Sequence, residues 1–520
     1  MNILTLNSFL PYQASEQKQL VWGDINAFTA GLFVPFAFAP FHFSWILYLL
    51  LARFFACLIN VSPLRAAWRG WLFGFAQFGW GLYWLRHSFD LQVDLSQLFS
   101  ATVPLLFSAY LALFIALTAY VSVKLFGGNK LLLLLVGLPA NWTLFECLRS
   151  NLFTGFPWMS LGYSQVDTLL RGYAPIIGGL GLTFLSVLVA SAITLLVYSS
   201  GKSFRYRVSF VMLLIVVLMG GVATIHIAWS EKAGDPILVS LVQANISARD
   251  KWAASNREKI KTTYFTAASQ HHDSDLIIWP ETAIPNFIGQ ETYYLNRLRE
   301  IFVAKGSDIL TGIVGTDRNM VGYTNRIANI GGGHYDKQHL VPVAEYLPDT
   351  WIGRVLSEVM QFPLSNIRPG NSQQDLILAA NSRIGSSICF EIAFDDLVRQ
   401  SSVNANYLVN ISDDSLYVDS LEPYQTIQIA RLRALENSRY LLRASNTGIS
   451  VFIDEDGKII SATGLNRQQV LTGEVQPLVG STLYSRFGNS TILTISILML
   501  LIVMTYQIRM GFRIKSIKSQ

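Results

Sequence analysis

The chain has 520 residues and a formal net charge of +5, with 51% hydrophobic and only 14% charged side chains. Soluble domains carry roughly a quarter charged residues, so this composition excludes a wholly water-soluble protein. No basic run is interleaved with aromatic residues, so nucleic acid is not expected as a partner.

The apolar residues are unevenly placed. Long uncharged runs dominate up to about Trp229, the composition from Glu231 to about Arg486 is that of a globular domain, and Ser490 to Met504 is apolar again. The region ahead of the first run holds Glu16, Lys18 and Asp24 with no basic stretch and no small-residue cleavage site, so no removable signal peptide is expected. A membrane-crossing helix needs about 20 mainly apolar residues. Eight segments approach this: Ile25–Ala39, His42–Ile59, Ala66–Leu85, Gln97–Val123, Leu131–Leu148, Ile176–Tyr198, Val208–Trp229 and Ser490–Tyr506, the first two interrupted by Pro35 and Pro40. The chain thus divides into a membrane domain with seven helices (1–229), a soluble domain (230–486) and a last helix with a short basic tail (487–520).

Lysine and arginine in short connections set orientation. With the amino terminus inside, the inner segments hold Lys18, Arg65, Arg69, Lys124, Lys130, Lys202, Arg205, Arg207, Arg509, Arg513, Lys515 and Lys518, against Arg86, Arg149 and Arg171 outside. That bias places both termini in the cytoplasm and the soluble domain on the far side. Arg86-His87 and Glu146-Cys147-Leu148-Arg149 lie near outer helix ends, where charges are either functional or caps at the interface. Thr154-Gly155-Phe156-Pro157-Trp158 reads as an interfacial aromatic loop.

In the soluble part, Ile237–Val242, Leu276–Trp279, Ile309–Val314, Ile384–Cys389 and Tyr407–Ile411 read as buried strands. Arg257–Gln270, Thr292–Ala304 and Tyr424–Arg439 read as amphipathic helices, and the alternation implies an α/β fold with helices on sheets. Cys57 and Cys147 fall in apolar runs, where a free thiol is usually a packed hydrophobe. Cys389 is the single thiol of the soluble part; with no CxxC pair, neither a disulfide framework nor a zinc site is expected. His271-His272 lacks further ligands at metal spacing and reads as a solvated turn.

Three residues stand where chemistry is usually placed. Glu281 follows a strand in Trp279-Pro280-Glu281-Thr282, Lys337 lies in Tyr335-Asp336-Lys337-Gln338-His339-Leu340-Val341-Pro342, and Cys389 ends a strand in Ser387-Ile388-Cys389-Phe390-Glu391. A thiol attacks only as thiolate and so needs a base or a nearby cation. A glutamate can take its proton, and a lysine can lower its pKa and hold the oxyanion formed at a carbonyl. Taken singly, Lys337 would be a surface charge and Glu281 a helix first-turn charge.

These motifs, in this order beside a multi-helix membrane region, resemble the nitrilase superfamily and within it the apolipoprotein N-acyltransferase family. Val239 to Phe452 carries the strongest likeness: Ser240–Asn245 leading to Lys251-Trp252, Thr311-Gly312-Ile313, Gln428–Glu436 and Arg443–Gly448 agree, as do Thr154–Trp158 and Gly162–Gln165 in the membrane part. The resemblance implies a nitrilase-like αββα sandwich on a helical membrane platform. It implies Cys389 as nucleophile, Glu281 as general base and Lys337 as oxyanion stabiliser, with Glu345, Glu391, Phe390 and Trp252 supporting the site or lining the substrate path. Trp252 reads equally as a hydrophobic anchor at the membrane interface. Phe390 stands where tyrosine is common in the family, and Leu416 and Val418 where tryptophan and glycine are usual. The implied reaction moves an acyl chain from phospholipid through a Cys389 thioester to the amino group of a diacylglyceryl-modified apolipoprotein, with no metal or cofactor, in the inner membrane with the soluble domain periplasmic. Two other readings use the same residues: a membrane-tethered amidase, and a non-enzymatic scaffold with a degenerate domain. The topology is checked with a reporter active only outside the cytoplasm, which should work when fused after Trp229 and fail after Gln520; the reverse pattern overturns the orientation.

Overall fold

The computed structural model describes residues 10–88, 97–198, 204–316, 322–342, 344–346, 367–417 and 419–518. Lys202 and Val418 lie outside them. The amino-terminal half is helical: α1 (Leu10–Phe33), α2 (Ser44–Ala56), α3 (Pro63–Gly81), α4 (Gln97–Phe126), α5 (Leu138–Asn151), α6 (Ala174–Tyr198) and α7 (Phe204–Ile225). Among the described residues, six stretches are long and apolar enough to cross a membrane: Leu20–Ala37, Ser100–Phe126, Lys130–Thr154, Leu169–Tyr198, Phe204–Ile225 and Ser490–Arg509. The two other expected spans do form helices, α2 and α3, but fall short of that measure for different reasons. With 13 residues, α2 spans only about 20 Å at 1.5 Å per residue, against a hydrocarbon core of about 30 Å. Helix α3 carries Arg65 and Arg69, both bound to Asp24 of α1 at 2.5 and 3.0 Å.

The second half holds fifteen strands in the described residues. A seven-stranded sheet combines β14 (Gln469–Val475), β2 (Ile237–Gln243), β3 (Leu276–Ile278), β5 (Asp308–Thr316), β6 (Tyr323–Asn329) and β7 (His334–Asp336) in that order, with β4 (Ile284–Phe287) paired to β5. A six-stranded sheet runs β13 (Ile459–Ala462), β12 (Val451–Ile453), β11 (Leu441–Ser445), β10 (Tyr407–Ser412), β9 (Ser382–Ile388) and β8 (Ile377–Ala379). A small pair, β1 (Ser230–Lys232) with β15 (Leu478–Gly480), ties the entry of this half to its exit. Helices α8 (Arg257–Ser269), α9 (Thr292–Ile301), α10 (Asp395–Ser402) and α11 (Glu422–Asn437) cover the sheets, and α12 (Ser490–Lys518) returns to the membrane part.

The period of two along each strand produces the layers. Leu276 and Ile278 of β3 enter the core between the sheets with Leu241, Leu310, Ile384, Ile388, Val409 and Leu442. Ile277, between them, points outward to meet Ile260 and Tyr264 of α8. On the opposite outer face, Leu408, Leu441 and Val451 pack on Val398 of α10 and Ala430 of α11. The expected αββα sandwich is present.

Helix α11 forms where an amphipathic helix was expected, but it is buried on its polar side as well. Every residue except Tyr424 is buried. Ile427, Ala430 and Ala434 face the sheet, while Ile429, Leu432 and Leu435 join the membrane helices' core. Its polar side chains therefore meet protein instead of water. Gln425 accepts from the indoles of Trp84 (3.0 Å) and Trp158 (2.8 Å), Gln428 from the Ala39 amide (3.1 Å), and Arg431 makes a two-pronged pair with Asp167. Arg433 pairs with Glu436, which accepts the Gly179 amide at 2.6 Å. That amide is released because α6 breaks at Gly178, whose φ of +66° suits glycine and where a Cβ would strike the Tyr484 ring. Glu436→Ala strands the Arg433 charge and should cost about 3–5 kcal/mol of stability. The double variant Arg433→Met/Glu436→Leu should recover part of the lost melting temperature in detergent; no recovery would mean the pair is not the cause.

Candidate active site

Glu281 follows β3 on a turn that needs room. Thr282 has φ +50°, and a Cβ on Gly312 of the adjoining β5 would come within 2.7 Å of Glu281 Cα. The bare backbone of Gly312 thus lets the turn lie against the sheet. The carboxylate is held at both oxygens: Asn325 Nδ2 donates to Oε1 at 2.6 Å and the Asp413 amide to Oε2 at 2.9 Å. Buried Lys251 caps the same turn from behind, donating to the Glu281 carbonyl (3.0 Å) and to Asp413 (2.6 Å).

Lys337 follows β7 and is buried between two carboxylates, 2.8 Å from Glu345 and 3.7 Å from Glu281. Asn325 also donates to Glu345 at 3.2 Å, and the Val341 amide does so at 2.8 Å. Burial alone would lower the ammonium's pKa, but the two glutamates more than reverse this and hold it above its usual value. Lys337 is therefore a fixed cation.

Cys389 follows β9 with φ +54°, in the left-handed region that a side chain adopts only under constraint. Asn410 reaches its carbonyl at 3.4 Å and that of Ser387 at 3.3 Å. Two residues on, Glu391 accepts the amides of Ile388 (2.7 Å), Gln338 (2.7 Å) and His339 (2.9 Å) and the Tyr335 hydroxyl. It ties the Cys389 turn to the Lys337 loop. Burial pushes its carboxyl up to about 7 against the pull of those donors. Burial likewise raises the Cys389 thiol well above its ordinary range; Glu281 adds to this and Lys337 opposes it. Burial also raises Glu281, with Lys337 pulling the other way. At rest, then, the thiol keeps its proton, and a carboxylate with raised proton affinity stands within its electrostatic reach.

Phe390 packs outward from the sandwich. Its ring stacks on Trp158 (5.8 Å) and Phe156 (6.0 Å) of the membrane half and meets Phe394 at 5.1 Å. The loop bearing Phe156 and Trp158 is fastened by buried Arg149, which donates to their carbonyls at 2.6 and 2.8 Å. His339 stacks on Phe394, and burial with the nearby Lys337 lowers it to about 4, so it is neutral.

The structure therefore brings Glu281, Lys337, Cys389, Glu345 and Glu391 into one cluster, with Glu281, Lys337 and Glu391 buried, Cys389 and Glu345 half-buried, and Phe390 at its edge. Trp252 is not part of that cluster; it is 56% exposed at the end of a short helical turn. Asn325, Asp413 and Lys251 were not read from the sequence as site residues. Lys251 stands in a stretch that matches the family, Asp413 in the loop that departs from it at Leu416 and Val418, and Asn325 is one polar residue in a strand with no local signal.

Comparison with known proteins agrees across both halves. The family model for the apolipoprotein N-acyltransferase N-terminal domain matches residues 30–192, and that for carbon-nitrogen hydrolase matches 238–484. The apolipoprotein N-acyltransferase of Methylococcus capsulatus is 38% identical over 89% of this chain and 92% of its own length. That of Coxiella burnetii is 34% identical over 92% and 99%. Among solved structures, Saccharomyces cerevisiae Nit3, of the nitrilase superfamily, matches 48% of this chain and 93% of its own at 19% identity and a TM-score of 0.37.

A thiol raised by burial should be alkylated by iodoacetamide ever faster up to and beyond pH 9, with Cys57 and Cys147 replaced by serine. Lys337→Met should slow this further at every pH. A plateau near neutral pH would show a resting thiolate and remove the need for a base.

Proposed function

Because the chain belongs to the apolipoprotein N-acyltransferase family, a multi-pass membrane group of carbon-nitrogen hydrolase-type acyltransferases, we propose that it works by a two-stage exchange on Cys389 with phospholipid as acyl donor. Glu281 takes the Cys389 proton as the sulfur attacks an ester carbonyl. The oxyanion is met by the Lys337 ammonium and the Phe390 backbone N–H. When the tetrahedral adduct collapses, the ester C–O bond breaks, Glu281 returns its proton to the leaving oxygen, and lysophospholipid departs. The α-amino group of a diacylglyceryl-cysteine then attacks the thioester. Glu281 accepts the amine's proton, the C–S bond breaks, the proton passes to the sulfur and the amide product leaves. Glu345 and Asn325 keep Lys337 and Glu281 in place, and Glu391 holds the nucleophile turn. In this reading Trp252 lies on the substrate path outside the buried cluster.

The observation that carries the proposal is the position of Phe390 between the Glu281–Lys337–Cys389 cluster and the aromatic loop of the membrane helices. A thioester formed there sits where an acyl chain can stay in lipid. We place the sheet domain on the periplasmic side of the inner membrane, carried on seven helices and followed by an eighth, with both termini cytoplasmic.

Purified protein given phospholipid alone should acquire an acyl adduct on Cys389, seen as a mass increase that hydroxylamine removes. A diacylated lipopeptide with a free amino group should discharge it quickly, an N-acetylated one should not, and water should do so slowly. Cys389→Ala should abolish the adduct, and Lys337→Ala should slow its formation about a hundredfold or more. Since Glu281 must be ionised, its raised pKa moves the acid limb of adduct formation above the ordinary carboxyl value of about 4.3. Hydrolysis at one rate with or without lipopeptide would identify an amidase, and no adduct with any phospholipid would leave only a scaffold.

A further inference from the structure

A cavity of about 220 Å³ lies where the outer end of α7 meets the sheet domain. At roughly 30 Å³ per water it has room for about seven water molecules, enough for a lipid headgroup and too little for acyl chains. It is distinct from the cluster around Cys389. Gln425, which holds Trp158 beside Phe390, lies ten residues before Leu435, which lines the cavity. That separation is about 15 Å along α11.

The cavity wall carries charge of both signs, of which Asp456 is paired with Lys458 at 3.2 Å and Arg171 and Glu455 are not paired with each other. Arg171 lines it from the membrane side, and its guanidinium has no hydrogen-bond or ion-pair partner among the described residues. Glu455 lines it from the β12–β13 turn, and its Oε2 is buried without a partner, as is the indole Nε1 of Trp229 in the connection to β1. Arg171 and Glu455 share the cavity yet form no ion pair with each other. Buried polar atoms are seldom left unmatched. A cation and an N–H on one side and a bare carboxylate oxygen on the other suit a dipolar ligand, brought into contact by small side-chain rotations. Burial raises the Glu455 carboxyl, and a neighbouring ammonium would restore its charge.

The surface below the cavity is apolar. Met212, Val216, Met219 and Ile227 are exposed at helical spacing along α7 and the residues just beyond it, forming one stripe that ends at Ile227 in the cavity wall. A ligand in this place has a polar head of both signs and an apolar body beneath it.

We propose that the cavity binds the headgroup of a zwitterionic phospholipid bearing a primary amine, at a site separate from the one that serves Cys389. The phosphate lies against Arg171 and the Trp229 N–H, the ammonium donates to Glu455, and the acyl chains follow the α7 stripe. A trimethylammonium group keeps the charge but has no N–H for the carboxylate. The bound lipid joins α7 to the sheet domain at their junction.

The full chain is reconstituted in phosphatidylglycerol vesicles containing a small fraction of phosphatidylethanolamine with a diazirine near the carbonyl end of one acyl chain. After photolysis, crosslinks are mapped by peptide mass spectrometry. The expected result is labelling within residues 216–229 that unlabelled phosphatidylethanolamine displaces, while phosphatidylcholine, extra phosphatidylglycerol and inorganic phosphate do not. Arg171→Ala and the near-isosteric Glu455→Gln should each reduce this labelling at least fivefold and leave acylation of Cys389 unchanged. Displacement by inorganic phosphate would show a simple anion site and overturn the proposal. Equal displacement by phosphatidylcholine or phosphatidylglycerol, or full labelling in both variants, would overturn it too. The competition series uses the unaltered protein, so it stands even if a variant folds poorly.

Discussion

A helix buried on all sides has no water to satisfy its polar side chains, and α11 carries Gln425, Gln428, Arg431, Arg433 and Glu436 into that position. Leaving any of them unpaired would cost one to several kcal/mol. Most are met by groups from elsewhere: the indoles of Trp84 and Trp158, the Ala39 and Gly179 amides, and Asp167, while Arg433 pairs with Glu436 of the same helix and Gln428 Nε2 is left without a partner. The membrane helices and the sandwich are consequently fixed by directional bonds as well as by apolar contact. The same helix reaches the turn that bears Cys389. Arg433 donates to the Ile392 carbonyl at 3.2 Å, and Tyr163 of the membrane half donates to that of Ala393 at 3.3 Å, so the turn after Cys389 is anchored from the membrane side.

Within the site, separate carboxylates meet separate needs. Glu281 and Glu345 share Lys337, which keeps the ammonium charged in a place where burial would otherwise neutralise it. Glu391 takes no part in that sharing. Its three backbone donors come from the two turns that bear Lys337 and Cys389. It fixes the distance between cation and thiol, while Glu281, whose carboxyl burial raises and Lys337 pulls back, is the group that exchanges a proton in the proposed reaction.

How much of this was readable from the sequence depended on whether the signal was local. A strand run such as Leu276–Trp279 was legible because burial on both faces makes it continuously apolar, whereas Ile384–Cys389 holds Gly385, Ser386 and Ser387 and was legible by its Ile residues and its place before the Cys389 motif. Asn325 was not legible: it is a small polar residue on β6, and only the fold reveals that it bridges Glu281 and Glu345. The burial of α11 was hidden for the opposite reason. Its polar positions follow the pattern of a solvated face, and nothing in the helix itself says that the groups opposite are protein. Helix α3 shows the same limit, since the charges of Arg65 and Arg69 lower the apolarity of a segment whose partner, Asp24, lies in another helix. Leu416, where the family usually has tryptophan, adjoins Tyr417, whose ring meets Trp84 edge-on at 5.0 Å. An aromatic contact with the membrane helices thus persists at this loop one residue from the altered position.

That contact belongs to a larger arrangement. Trp84, Trp158, Phe156, Phe390, Phe394 and His339 form a chain of touching rings from the membrane helices to the Lys337 loop. Aromatic rings bury large area with few rotatable bonds, so they exclude water at small entropic cost. A thioester awaiting a second lipid survives only if water is kept from its carbonyl while an acyl chain still has a path to it. An aromatic boundary between a buried polar cluster and the membrane helices answers both demands, and it explains why the nucleophile's neighbour, Phe390, faces the membrane half instead of the sheet core. The polarity of the site and the apolarity of its border are therefore parts of one device. In the proposed reaction the first activates the sulfur, and the second decides which acceptor reaches the acyl group it carries.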